Sequence, residues 1–190
     1  LLVRRVGGPS VKPYQPEAYY RHLNFPVREY QASVDDQRWR RGVYVHWQRQ
    51  FLHPMLRAFD APTREECTAQ RSQSNTPLAA LVWLNDPSFI EAARGLALRS
   101  LRAPGNDRQR IAYAFRIATA RTADAHESDV LFDLLEESRR EFAAHPAQAA
   151  ELLNVGLFQP GTTTYSDSEL AAWTSVARAV LNLNETYTRN

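Results

Sequence analysis

From Asp86 to Leu183 the apolar residues return every three to four positions, and that single period predicts a series of helices. Phe89, Ile90, Ala93, Ala97 and Leu101 form one face of a helix running to about Arg102. Ile111, Ala114, Phe115 and Ala118 mark the next. Val130, Leu131, Leu134, Leu135, Ser138 and Phe142 mark another, with Glu136 and Arg140 spaced as a surface pair. Leu170, Trp173, Ala177, Val180 and Leu181 mark the last. Ala92, Ala93, Gly95 and Ala97 are small enough to let a second helix approach closely. Further upstream, Trp39, Val43, Trp47 and Phe51 recur every four residues and Tyr44 widens the stripe. This predicts a helix over residues 36–51, ended by Pro54. Trp39, Trp47, Phe89, Phe115, Leu134 and Trp173 are expected in or beside one helical core.

Capping chemistry sets the ends. Thr63 to Glu66 has the spacing of a capping box, and Ser166 to Glu169 repeats it. Asn75 or Thr76 is expected to cap a short helix with Pro77 in its first turn, and Asp86 the next, with Pro87 at its first position. "APGND" at 103–107 breaks one helix, a short helix follows Pro146, and "FQPGTTTYSD" at 158–167 is a loop. Residues 7–34 differ in kind: four prolines and four tyrosines without a sustained period predict an ordered, extended wrap. The aromatics there, Tyr14, Tyr19, Tyr20, Phe25 and Tyr30, have no repeat that would pack them together, so an apolar patch awaiting other protein is expected nearby. No alternating run with hairpin turns reads as a sheet. The predicted fold is all-α: an irregular Pro/Tyr-rich N-terminal wrap followed by an orthogonal multi-helix bundle. Residues 1–34 form the extended segment and 35–190 the helical domain.

A chain of 190 residues suffices for one real core. Its charge is uneven: residues 1–75, 76–121 and 122–190 balance at +5, +4 and −7. Acidic helices packed beside basic ones within one fold account for such asymmetry. Lys12 is the only lysine among 23 basic residues. The single cysteine, Cys67, excludes an internal disulfide. Nothing approaches the roughly 18 uninterrupted apolar residues of a membrane span.

Candidate chemistry is sparse. Covalent c-type haem needs C-x-x-C-H, which one cysteine cannot supply. The five histidines, His22, His46, His53, His126 and His145, show no metal-ligand spacing with one another or with Cys67. His46 is expected to be a packed histidine. Cys67 follows a presumed helix N-terminus, but Glu65 and Glu66 oppose thiolate formation. Ser10 after Gly7-Gly8-Pro9 is not the G-x-S-x-G nucleophile elbow. Asp60 with Glu65, or Asp86 with Glu91, have the residue types for glycoside hydrolysis but are better explained as caps. The arginines of "RWRR" suit a solvated or ion-paired face, so nucleic acid is not an expected partner. Asp60, Arg64, Arg71, Asn75, Asn85 and Asp86 form the densest polar constellation and are the candidate binding residues. Their first reading is structural, as caps and carboxylate clamps. No catalytic or metal-ligating residue is assigned.

The segments "GGPSVKPYQP", "LNFPVREY", "FLHPMLRAFDAPTREECTAQRSQSNTPLAALVWLNDPSFIEAARGLA" and "ELAAWTSVARAVLNLNET" resemble the planctomycete domain of unknown function 1553. The resemblance runs from Gly7 to about Arg189, and the "FDAP…REECT…SNTPLAALVWLNDP" run is its most specific part. Gln73 and Ala79 depart from it, standing where the family carries a basic and a long polar side chain. The resemblance implies an exported multidomain protein, often with a c-type cytochrome domain elsewhere, of which this chain is the later half of a larger domain. No cofactor is expected in this chain, while the resemblance implies c-type haem in another domain and as partners the upstream part of the same protein, a partner chain or glycan. Two functions are compatible. One is a helical interaction or scaffold module linked to c-type cytochrome and polysaccharide metabolism. The other is part of a secreted polysaccharide-active enzyme whose remaining catalytic residues lie upstream.

Overall fold

The computed structural model describes residues 3–22, 29–48, 51–70, 76–158, 161 and 163–187. Among them run eight α-helices: α1 (Pro54–Ala58), α2 (Pro77–Asn85), α3 (Pro87–Leu101), α4 (Asp107–Thr119), α5 (Ala125–Ala144), α6 (Pro146–Asn154), α7 (Asp167–Leu181) and α8 (Asn184–Tyr187). The described residues contain no strand longer than an isolated bridge, so the all-α expectation agrees with the structure. The chain divides into two compact units, Leu1–Val82 and Trp83–Asn190, with the boundary inside α2.

The first unit is extended chain tied by main-chain pairing. Val11 bridges Val45 in parallel: the Val11 amide donates to Tyr44 O (2.8 Å) and the His46 amide to Val11 O (2.7 Å). Both valines are buried. The helix expected over 36–51 is absent from its described residues. In its place are 3-10 turns at Asp36–Trp39 and Gly42–Tyr44, with extended backbone after each. β-Branched Val43 and Val45, Gly42 and four aromatics are weak helix formers, and pairing with residue 11 offers the amides of this segment another partner. The period of four was a coincidence of composition; Val43, assigned to its buried face, is 70% exposed.

Two other local expectations are corrected. Pro54 begins a helix instead of ending one, with His53 as its N-cap. Thr63 accepts only a long bond from the Glu65 amide (3.5 Å), and no helix runs through the described residues 64–70. Arg64 has φ +64°, a left-handed conformation that cannot open a right-handed helix. The wrap's tyrosines do find company. Tyr20 meets Tyr30 edge-on (5.4 Å between centroids), and Tyr19 and Tyr20 both meet Phe51 edge-on. Phe25 lies outside the described residues. The exposed apolar side chains of this unit include Val6, Val34, Leu78 and Leu81.

The second unit is a helical bundle around α7. Leu170, Ala171, Ala172, Trp173, Val176, Ala177 and Val180 are all buried, and α3, α5 and α6 pack on this helix. Ala93 and Ala97 of α3 are fully buried, so small residues on α3 and α7 let the two backbones approach closely. Ile111 and Phe115 of α4 and Leu131 and Leu135 of α5 close the same core. Trp173 and Phe115 lie in this core, Leu134 packs against it, and Phe89 meets the Trp83 ring in a tilted contact, 4.0 Å between centroids. Trp39 and Trp47 belong to the first unit, which corrects the expectation of one shared core.

The caps expected for α2 and α3 form. Thr76 Oγ1 accepts from the Ala79 amide (3.2 Å) at the start of α2. Asp86 Oδ1 accepts from the Ser88 amide (2.8 Å) at the start of α3. Complete capping boxes open α4 (Asn106 with Gln109) and α5 (Asp124 with Glu127), neither recognised from spacing. At α7 only half the expected box forms. Ser166 accepts from the Glu169 amide, while the Glu169 carboxylate turns to Arg139 and Trp173. Glu136 pairs with Arg139 at 2.7 Å and not with Arg140, whose Nε reaches the Glu136 carbonyl.

Candidate functional site

The six polar residues singled out in the sequence divide between the units. Asp60 and Arg64 belong to the first, Asn85 and Asp86 to the second, and Arg71 and Asn75 lie outside the described residues. Asp60 follows α1 with φ +55°, and its amide donates to Arg57 O (3.3 Å) in a turn. Exposed Arg64 lays its guanidinium over the Trp47 ring, 4.0 Å from the centroid. Asn85 is the exposed last residue of α2. Asp86 caps α3, and burial raises its carboxyl pKa against the opposing pull of the Ser88 hydrogen bonds. A half-buried cap that is costly to ionise needs an oxygen acceptor more than a charge. Asp86→Ala should therefore cost about 0.5–2 kcal/mol, while Asp86→Asn should melt no lower than the parent protein. Equal melting of the parent and Asp86→Ala would remove this role.

The deepest polar groups of the first unit were not recognised from sequence. Arg40 is 5% exposed. It donates to the carbonyls of Arg5 (3.0 Å), Gly7 (2.5 Å) and Pro9 (3.2 Å), and its guanidinium lies 3.7 Å from the Tyr44 ring centroid. Tyr30 donates to Pro13 O (2.6 Å), and burial, then Tyr20, pushes its phenol well above the ordinary range. His53 is 3% exposed. Its Nδ1 accepts from the Met55 amide (3.3 Å), which leaves Nε2 to donate to Tyr14 O (3.0 Å). It is a packed histidine of this unit, whereas His46, expected in that role, is half-buried.

Burial lowers the His53 pKa from 6.5 to about 4, outweighing the hydrogen bonds to Tyr14 and Pro13. A proton on Nδ1 would also set two donors against each other at the Met55 amide. Because folding lowers this pKa, the neutral ring's contribution is complete above pH 6.5 and is lost as pH falls toward about 4. The amount is about 3 kcal/mol. One histidine ring, identified by its loss in His53→Gln, should stay unprotonated by NMR until pH reaches about 4. Ordinary titration of that ring in folded protein would contradict the assignment.

In the second unit, buried Glu91 and Arg94 of α3 fix the chain after α6. Arg94 donates to the carbonyls of Leu153, Val155 and Phe158, and Glu91 accepts from the Phe158 amide (2.8 Å). Gly156, at φ +103°, passes so close to the Glu91 carboxyl that any Cβ would collide with it. Arg139 gathers Asp107 (2.7 Å), Glu136 (2.7 Å) and Glu169 (2.6 Å), the last also accepting from Trp173 Nε1. Arg121 forks between Glu127 and Glu185, tying the α4–α5 connection to α8. Arg108 meets Asp129 at 2.6 Å. Basic α4 and acidic α5 thus pair inside one unit, as the uneven charge along the chain suggested.

No group of three or more His, Cys, Asp or Glu placed to hold a metal occurs among the described residues. No helix among them is long and apolar enough to cross a membrane. Cys67 is exposed. The model of the PSD1 family, described as a protein of unknown function (DUF1553), matches residues 1–135, more than two thirds of the chain. The chain belongs to the DUF1553 family. No curated protein and no solved structure matches it significantly. The DUF1553 match covers Arg40, His53, Asp86, Glu91 and Arg94 and ends inside α5, whereas the likeness noted in the sequence runs on to α8. Ala79, where this chain departs from the usual DUF1553 pattern, is 2% exposed, so the short side chain occupies a closed position.

Proposed function

We propose that this chain is a noncatalytic helical interaction and scaffold module of an exported planctomycete multidomain protein. That protein also carries a c-type cytochrome domain and serves polysaccharide metabolism. Export, cytochrome and polysaccharide rest on the family resemblance. The noncatalytic reading rests on one observation: buried Arg40, His53 and Arg94 direct donors to main-chain carbonyls. Arg40, His53 and Arg94 each lock a segment remote in sequence, and such groups serve architecture. Partners are another part of the same protein, a second chain or glycan, met through exposed apolar side chains such as Val34, Leu78 and Leu157.

The test offers the whole gene product neutral and sulfated polysaccharides and follows release of reducing ends beside affinity electrophoresis. Retardation without release is the expected result. Release abolished by Asp60→Asn or Asp86→Asn in a variant that melts like the parent would overturn the noncatalytic reading. Asparagine preserves the Asp86 cap and tolerates the left-handed turn at Asp60, so such a loss would be chemical.

A further inference from the structure

We draw no further inference here: the strongest candidate, the exposed Leu157–Phe158 tip of the α6–α7 loop that buried Glu91 and Arg94 hold in place, carries none because nothing in the structure shows what covers it.

Discussion

Trp173→Ala should lower the stability of the second unit by about 3–5 kcal/mol, the range for deleting a fully buried aromatic side chain. The ring is 1% exposed at the centre of α7, against which α3, α5 and α6 all pack. Removing it opens a cavity in the one helix common to the bundle, and close packing lets neighbours relax only partly. The Glu169 carboxylate would lose the indole donor but keep both contacts to Arg139, so the polar cluster survives. Volume therefore dominates the loss, and Trp173→Phe should recover most of it. In a chain of this size the alanine variant should melt on the order of 10 °C lower by far-ultraviolet circular dichroism. A melting curve superimposable on the parent's would mean that α7 is not the core helix.

A comparable loss is expected at Arg94, for a different reason. The guanidinium is 2% exposed and serves three carbonyls, while Glu91 on the same helix takes the Phe158 amide. Arg94→Met keeps much of the packing and removes every donor. The abandoned carbonyls, buried at Leu153 and partly buried at Val155 and Phe158, then carry their own desolvation costs, for a total of about 3–5 kcal/mol. Arg94→Lys should recover only part of this, because a single ammonium cannot reproduce the planar fork. Hydrogen exchange gives the sharper readout: amides of residues 153–158 should lose protection before those of α7 do. Uniform protection in a folded Arg94→Met protein would show that the loop is fixed by something else.

Both expected losses depend on contacts that cross long stretches of sequence, and those were the least legible features of the chain. Glu91 and Arg94 had only helical spacing to offer, and nothing near them named residues 153–158 as their partners. Arg40 looked like one arginine of a solvated "RWRR" run until the backbone of residues 5–9 was found around it. Of the candidate polar cluster, Asp86 was readable because a cap is a bond across two residues. The left-handed turns at Asp60 and Arg64 were not, since arginine rarely adopts that conformation and aspartate, which does so more often, serves equally well as a cap.

The sequence by itself determined the helices from α2 to α7, the caps of α2 and α3 and most of the buried stripes, although Val130, read into the α5 stripe, is 51% exposed. These depend on hydrogen bonds four residues apart and on a stripe that any packing partner would cover. It determined family membership as well. Only the tertiary structure decided the path of residues 36–48, where pairing with Val11 prevailed over an apparent helical period. The same holds for the division of the chain into two units. It also decided that Glu169 would complete the Arg139 cluster instead of its own capping box: the carboxylate can satisfy either set of donors, and only the packing of α5 against α7 brings the guanidinium within 2.6 Å.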